Sequence, residues 1–456
     1  MPPQPSRPSQ PEIIKIAGFA LLGLLLTLQP IILLIYFLTV NIYYFYQYSK
    51  TTDVNTLINL VFFLPSIEIL GRVIGLSAMP VEIGKYMGLI YFVIFSLHKK
   101  IHSKNSNAIF IVIFLLNIPS LLFADFYQFR FKFVHDLLGL IDLSLLGIFF
   151  SRITITLFEL KVYFKNFLYS LIPFLVILTI KTPKLSEIKF DLGANFVTSA
   201  GFGPNQVCTV LGAAIFILIL YQMAFEKKIF TSFKQIDLIF IVFFSFRALI
   251  TFSRGGIFAP IAALILPSNL LAKFRPTAKI MTNFITITFF SSLVFFAINS
   301  LTGGSLIQRF SGETTKTIAG TADKSIEGFT TGRSNIIAGD INVWFNNIVF
   351  GAGIGESAFE RARLEDGELV AAHTEFSRLL AEQGLFGLAI NILLLIVIPL
   401  EILGAKLSPK VKYIKLAFIL FSVFSMSHSA MRTIIPVIFY AFSAVNFSEK
   451  KKEFVI

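Results

Sequence analysis

The sequence is a succession of apolar runs separated by short polar breaks, and this pattern limits the possible folds more than any other feature. The runs are about 16 to 25 residues long, close to the roughly 20 residues that a helix needs to cross a bilayer. Only 14% of the residues are charged, whereas a typical soluble protein carries about 25%. The mean hydropathy of +0.78 agrees with this difference. We therefore predict an all-α integral membrane protein.

The apolar runs give about 14 candidate spans, or about 12 if the shortest do not cross the membrane. They lie near 13–28, 30–47, 57–76, 84–98, 107–124, 135–155, 165–181, 206–225, 236–252, 256–273, 279–301, 377–403, 411–427 and 431–446.

Five clusters of basic residues stand between these spans, and they predict the orientation of the protein. An even number of spans separates each cluster from the next, so all five fall on the same side, which the positive-inside rule makes the cytoplasm. The net charge of +13 therefore reflects membrane orientation rather than binding to nucleic acid. The clusters are Lys99, Lys100 and Lys104; Lys227, Lys228 and Lys234; Lys273, Arg275 and Lys279; Lys406, Lys410, Lys412 and Lys415; and Lys450, Lys451 and Lys452.

The predicted organisation has five parts. Residues 1–12 form a disordered cytoplasmic tail, rich in proline, and residues 13–301 form a bundle of transmembrane helices. Residues 302–372 form one large extracytoplasmic loop, residues 373–447 the last transmembrane helices, and residues 448–456 a basic cytoplasmic tail. A polar connection of about 70 residues is far longer than usual, which indicates a functional loop or a small subdomain.

Two arginines near the outer ends of the spans are candidates for binding an anion. Arg254 lies in the motif TFSRGG, between two predicted helices, and Arg247 precedes it by seven residues on the same helical face. Charges at the edge of a membrane are costly and are candidates for function, and a guanidinium can clamp a phosphate through two hydrogen bonds. The alternatives are contact of Arg254 with lipid headgroups and a structural, hydrogen-bonded role for Arg247.

The outer loop contains a third arginine and a glycine-rich run. Arg333 precedes an amphipathic pattern that predicts a helix. The run GAGIGES resembles a nucleotide-binding loop, but a lone glycine pattern is weak evidence, and ATP or NAD is not normally supplied outside the cell. We interpret Gly351, Gly353 and Gly355 as turn glycines.

A histidine stands where the loop re-enters the membrane, in the motif AAHTEFSRLLAEQGLFGL. His373 is a candidate base, because a neutral imidazole can accept a proton at neutral pH. Glu375, two residues later, is a candidate for substrate binding. A histidine that only caps the helix or lies at the interface is the alternative, and the spacing of the acidic residues matches no metal-binding signature.

The segment GFGPNQVCTVLG contributes one more candidate. Asn205 could form hydrogen bonds with sugar hydroxyls, although helix capping after Pro204 is an equally good interpretation. Cys208 is the single cysteine, which excludes an intramolecular disulfide framework.

Taken together, these segments resemble the O-antigen ligase and polysaccharide polymerase family of bacterial multispanning membrane proteins. The matching elements are TFSRGG, the loop containing GRSN and FGAGIGESAF, and HTEFSRLLAEQGLFGL; their order, spacing and common side of the membrane carry the resemblance. They cover roughly residues 251–388.

The resemblance implies a fold like that of the lipid-carrier-dependent (GT-C type) glycosyltransferases and a location in the bacterial inner membrane, with the active site facing the periplasm. It implies transfer of a glycan from undecaprenyl pyrophosphate to an acceptor hydroxyl, without a cofactor or metal. Carried onto this chain, Arg254 and Arg333 would hold the pyrophosphate, and His373 would activate or orient the acceptor. Thr374 departs from the asparagine that many members have after the histidine, which leaves the subfamily open.

The acceptor also remains open: it could be another lipid-linked glycan, the sugar of lipid A-core, or a protein hydroxyl in a protein O-oligosaccharyltransferase. A transporter or flippase of lipid-linked oligosaccharide is the alternative from another class. Such a protein would carry charges through the depth of the membrane and an internal inverted repeat.

Overall fold

The computed structural model describes residues 12–96, 108–122, 133–190, 192–232, 235–272, 278–313, 330, 332–365 and 369–448. The structure is 77% helical. Both predicted tails, except for residues 12 and 448, and part of the predicted outer loop lie outside the described residues, as do several of the basic clusters.

The helices follow one another along the chain with short connections. The first nine are α1 (Glu12–Leu28), α2 (Ile32–Thr51), α3 (Val54–Ile74), α4 (Ile83–Ser96), α5 (Ala108–Leu116), α6 (Ile118–Leu121), α7 (Leu138–Ser151), α8 (Glu159–Lys181) and α9 (Pro204–Phe225). The others are α10 (Ile236–Leu249), α11 (Gly255–Ile265), α12 (Asn269–Ala272), α13 (Ala278–Leu301), α14 (Ser305–Ser311), α15 (Arg333–Asn346), α16 (Ser357–Glu365), α17 (Glu375–Ile392), α18 (Ile398–Gly404), α19 (Pro409–Ser429) and α20 (Ile434–Phe442).

Several shorter elements are also present in the described residues, among them two 3-10 turns, Leu185–Glu187 and Val197–Ser199. Two π-helical turns, Phe133–Leu137 and Leu393–Val397, adjoin α7 and α18. Strand β1 (Thr154–Thr156) pairs in parallel with β2 (Asn446–Ser448). This single strand pair leaves the prediction of an all-α architecture essentially intact.

Six helices of the described residues are long and apolar enough to cross a membrane: Val54–Ile74, Phe133–Ser151, Glu159–Lys181, Pro204–Phe225, Glu375–Gly404 and Pro409–Ser429. A seventh is added if the pair Thr288–Leu301 and Ser305–Ser311, which is bent by 112°, counts as one span. The prediction of a multispanning membrane protein is therefore confirmed in this coarser form. The prediction of about 12 to 14 crossings requires shorter helices, such as Ile83–Ser96, to cross as well.

Hydrogen bonds between distant segments define one end of the bundle, which we call the first end. The Glu12 carboxylate accepts a hydrogen bond from the backbone N–H of Thr231 (2.7 Å). The side-chain amide of Asn446 donates to the carbonyl of Ser151 (2.8 Å). All four residues belong to segments that the basic clusters predict to be cytoplasmic.

A second set of contacts defines the opposite end, which we call the site end. The backbone N–H of Ile434 donates to the Glu68 carboxylate (2.7 Å), and the Arg378 guanidinium donates to the carbonyl of Asp136 (2.6 Å). Glu68 lies in the outer half of the predicted span 57–76, and Asp136, Arg378 and Ile434 lie near the predicted outer ends of their spans. Segments with the same predicted sidedness thus lie at the same end of the bundle.

The centre of the bundle is packed with phenylalanine, which explains why the sequence contains 53 of these residues. Helix α20 is buried along its whole length, as expected for a helix that is apolar on every face. Its Phe439 ring lies 5.0 Å, centroid to centroid, from Phe418 and 5.3 Å from Phe421. Tilted and edge-to-face pairs of this kind add to the free energy gained by burial.

Candidate active site at the site end

A cavity of about 210 Å³ lies at the site end and gathers residues from distant parts of the chain. It contains three of the six residues predicted to form the site, namely Arg254, Arg333 and Asn205. The remaining lining residues are Ser253, Gly255, Phe258, Arg309, Thr330, Ile337, Thr374 and Ser427.

The turn between α10 and α11 positions Arg254. Phe252 has a φ of 58°, which is uncommon for a residue other than glycine. The Thr251 carbonyl accepts a hydrogen bond from the backbone N–H of Asn195 (2.8 Å). Ser253 donates through its hydroxyl to Oδ1 of Asn205 (2.8 Å). These bonds hold the turn against the segment before α9, so that Arg254 and Asn205 border the same cavity.

The two glycines of TFSRGG allow α11 to approach its neighbours closely. A Cβ atom added to Gly255 would lie 2.2 Å from Cγ of His428, and one added to Gly256 would lie 2.6 Å from the backbone carbon of Cys208. Both distances are far below van der Waals contact. Helices α9 and α19 therefore occupy the space beside these glycines.

Arg309 is a cavity residue that the sequence analysis did not select. Its backbone carbonyl accepts a hydrogen bond from Nη1 of Arg254 (2.8 Å), and its own Nε donates to the carbonyl of Phe252 (3.3 Å). Arg309 therefore ties α14 to the TFSRGG turn. The available signal was an arginine near the start of the predicted outer loop.

Arg333 begins α15, the helix that the amphipathic pattern predicted. Burial and the nearby charges of Arg254 and Arg432 lower the pKa of Arg333 from 12.5 to about 10. Within the part of the chain that the structure describes, no carboxylate forms an ion pair with Arg333. A partly buried cation beside other cations, with no described counter-charge, is what an anion-binding site requires.

His373 lies in the connection that leads into α17, next to the cavity residue Thr374. Its carbonyl accepts a hydrogen bond from the backbone N–H of Ala430 (3.0 Å). Its Nδ1 is buried and has no hydrogen-bond partner among the described residues. Burial and the nearby positive charges of Arg432 and Arg333 lower the pKa of His373 to about 4. The imidazole is therefore neutral at pH 7. His373 is not among the residues that line the cavity, although its chain neighbour Thr374 is.

Arg247 does not reach the cavity. It is buried, and Nη2 donates to the carbonyls of Leu178 (2.8 Å) and Thr198 (3.0 Å) and to the Thr182 hydroxyl (2.6 Å). This is the hydrogen-bonded structural role that the sequence analysis gave as the alternative. Its predicted part in substrate binding has no contact in its favour.

Glu375 is also committed to protein contacts. Its carboxylate forms an ion pair with Arg378 and accepts a hydrogen bond from the backbone N–H of Met431 (3.1 Å). Arg378 in turn reaches Glu382, one turn further along α17, at 2.6 Å. The acidic residues of this motif thus anchor α17 beside the turn before α20, and substrate binding by Glu375 stays a prediction.

The glycine-rich run of the loop packs against α17. Gly351, Gly353 and Gly355 have φ values of 74°, 98° and 72°, so all three adopt the left-handed conformation that favours glycine. The backbone N–H of Gly353 donates to the carbonyl of Glu382 (3.1 Å). These residues are turn glycines, as predicted, and they dock the loop onto the helix that follows His373.

The arrangement as a whole suits an anionic ligand and one proton transfer. Arg254, Arg309 and Arg333 border a single cavity, with Arg432 close enough to influence Arg333. The neutral imidazole of His373 stands beside them. In the described residues, no group of three or more histidine, cysteine, aspartate or glutamate side chains is placed to hold a metal ion.

No family model matches this chain, and no curated protein matches it either. The functional argument therefore depends on the motifs and on the site itself.

Proposed function

We propose that this protein is a membrane glycosyltransferase of the O-antigen ligase or polysaccharide polymerase type. It would transfer a glycan from undecaprenyl pyrophosphate to an acceptor hydroxyl at the outer face of the bacterial inner membrane. The acceptor could be another lipid-linked glycan, lipid A-core or a protein, and the reaction would need no cofactor. The order of the three motifs along the chain is the sequence argument for this activity.

One structural observation carries the proposal: Arg254 and Arg333, from separate motifs about 80 residues apart in the sequence, border the same cavity. Each guanidinium offers several N–H donors in a plane, which matches the oxygens of a pyrophosphate. Donors fixed in place before the reaction stabilise charge that develops in the transition state. The arginines would therefore favour departure of the lipid pyrophosphate.

The proposed reaction needs only one base. The acceptor oxygen forms a bond to the anomeric carbon, and the bond between that carbon and the pyrophosphate oxygen breaks. The bonding electron pair leaves with undecaprenyl pyrophosphate, which gains negative charge, and the hydroxyl proton passes to the imidazole of His373. The anomeric carbon becomes oxocarbenium-like during this exchange, so the leaving group and the base must act together.

The proposed topology follows from the two ends of the bundle. The site end would face the periplasm, and the first end, with Lys227 and Lys228 in its connections, would face the cytoplasm. Lipid-linked glycans would then reach the cavity from the outer leaflet.

Purified protein given a lipid-linked glycan tests the proposal directly. The donor is the undecaprenyl-linked glycan that accumulates in cells lacking the gene, and the same cells supply the acceptor fraction. We expect a new glycosidic product and release of undecaprenyl pyrophosphate without any nucleotide. Arg254→Lys should retain part of the activity and Arg254→Ala almost none. Movement of the donor across a proteoliposome membrane without a new bond would instead establish a transporter and overturn the proposal.

A further inference from the structure

Three side chains form a hydrogen-bonded chain that ends at the cavity. Asp340, in α15, is buried and forms an ion pair with Arg361. The Ser377 hydroxyl donates to Oδ2 of Asp340 (2.7 Å). The Thr374 and Ser377 hydroxyl oxygens lie 2.5 Å apart, and Thr374 lines the cavity beside Arg254.

The direction of the hydrogen bonds in this chain follows from the carboxylate. Arg361 forms an ion pair with the Asp340 carboxylate, and an ionised carboxylate can only accept hydrogen bonds. Ser377 has a single hydroxyl proton, which it donates to Asp340. The contact between the two hydroxyls therefore requires Thr374 to be the donor and Ser377 the acceptor. The only proton of the Thr374 hydroxyl is then bonded to Ser377, so the Thr374 oxygen can form a further hydrogen bond only as an acceptor.

The position of Thr374 in its helix makes this arrangement unusual. Thr374 is the N-cap residue of α17, where a threonine ordinarily accepts a hydrogen bond from a backbone N–H of the first turn. Its side chain makes no such capping bond. The acceptor capacity of the hydroxyl is thus not used by the helix, although the residue is only 8% exposed.

We propose that Thr374 is a specificity residue, which accepts a hydrogen bond from a hydroxyl or amide N–H of the donor's first sugar. This inference rests on the proposed function, because the sugar is placed by the pyrophosphate between Arg254 and Arg333. The first sugar is attached directly to that pyrophosphate, so it occupies the same cavity. A hydroxyl oxygen is a neutral acceptor and can bind a sugar without repelling the adjacent phosphates, which a carboxylate would do.

Ser377 and Asp340 are positioning residues in this scheme. They do not touch the sugar, but they fix the Thr374 proton away from the cavity. A site that presents a fixed acceptor discriminates against a sugar that lacks the matching donor, because the buried oxygen is then left without a partner. The hydrogen-bonded side chains of Asp340, Ser377 and Thr374 would therefore determine which glycan binds, without affecting recognition of the lipid.

Two ligands separate sugar recognition from pyrophosphate binding. The first is the undecaprenyl-linked glycan described above, and the second is undecaprenyl pyrophosphate without sugar. We expect Thr374→Val, which keeps the shape and removes the hydroxyl, to weaken binding of the lipid-linked glycan by about 3- to 10-fold. Affinity for undecaprenyl pyrophosphate should not change. Thr374→Ser should bind both ligands like the wild type, and Thr302→Val, at a buried threonine outside the cavity, is the matched control.

Ser377→Ala provides a second, independent variant. It frees the Thr374 proton without altering the cavity wall, so binding of the lipid-linked glycan should weaken by a smaller factor, again with no change for undecaprenyl pyrophosphate. Equal losses for both ligands in Thr374→Val would show a merely structural role and overturn the inference. So would unchanged binding of both ligands, or an effect confined to the acceptor. A wild-type protein that makes no glycosidic product would overturn the proposed function itself, together with this inference.

Discussion

Replacing Arg333 by methionine should make the protein no less stable while removing most of its affinity for pyrophosphate. Burial and the charges of Arg254 and Arg432 lower the pKa of Arg333 from 12.5 to about 10. One pKa unit corresponds to about 1.4 kcal/mol, so the charged guanidinium costs the free protein about 3 kcal/mol. Because the folded-state pKa is the lower one, this cost is fully present below pH 10 and disappears as the pH rises towards 12.5.

Arg333 destabilises the free protein but contributes favourably to the free energy of ligand binding. A hydrogen-bonded contact between charged groups contributes about 1.5 to 3 kcal/mol, so Arg333→Met should bind undecaprenyl pyrophosphate about 10- to 100-fold more weakly. The control is Arg363→Met, at an arginine of the same loop whose side chain is 73% exposed. Melting temperature in detergent and affinity for undecaprenyl pyrophosphate are measured on both variants.

One combination of results would refute this reasoning. If Arg333→Met melted several degrees below the wild type and still bound undecaprenyl pyrophosphate normally, Arg333 would be a structural residue. The absence of a counter-charge would then have no functional meaning. A loss of affinity in Arg363→Met of the same size would show that any positive charge in the loop suffices, and that the cavity does not select the anion.

Three further predictions test separate parts of the account. The pKa of His373 is lowered to about 4. The value of kcat/KM should therefore be constant from about pH 5.5 to 8 and fall only below that range, as the imidazole is protonated. An inflection near pH 6.5 that disappears in His373→Gln would contradict this. Gly255→Ala should destabilise the protein by about 1 to 3 kcal/mol, because the new Cβ would lie 2.2 Å from Cγ of His428. An unchanged melting temperature would disprove the close packing. The topology is tested with single cysteines at Lys184, which is 84% exposed, and at Lys406, each in a cysteine-free background. In intact spheroplasts an impermeant thiol reagent should label only position 184. Labelling at position 406 would reverse the topology.

The sequence was a good guide to the architecture because lipid imposes simple rules. An apolar run of sufficient length must satisfy its backbone hydrogen bonds internally, which only a helix can do. The parity of the basic clusters also placed Glu12 with Thr231, and Asn446 with Ser151, on the same side, and these pairs are in contact. Helix lengths were harder to predict: α20 has only 9 residues, and because its neighbours bury it, it need not be as long as a lipid-exposed span.

The candidate site could be predicted only in part. Arg254 and Arg333 are arginines in otherwise apolar or polar neutral motifs, so they were conspicuous, and both line the cavity. Arg309 and the hydrogen-bonded chain from Asp340 to Thr374 were not selected. Their importance depends on which residues meet across 37 positions of sequence, and no local pattern carries that information.

The neutral state of His373 resolves a conflict in the proposed mechanism. A base placed among arginines is a poor one in the free protein, since each nearby positive charge opposes its protonation. In the proposed mechanism Arg333, one of these arginines, would also bind the pyrophosphate, whose negative charge would offset that of the arginine and would grow as the bond to the sugar breaks. The imidazole of His373 therefore becomes more basic as the leaving group becomes more negative, and it is not protonated before the donor arrives. An isolated histidine with its ordinary pKa would be partly protonated near neutral pH, and the protonated fraction could not accept the proton. In this mechanism Arg333 would do two things at once: it would stabilise the departing pyrophosphate, and its charge, together with burial, would keep His373 unprotonated until the bond to the acceptor forms.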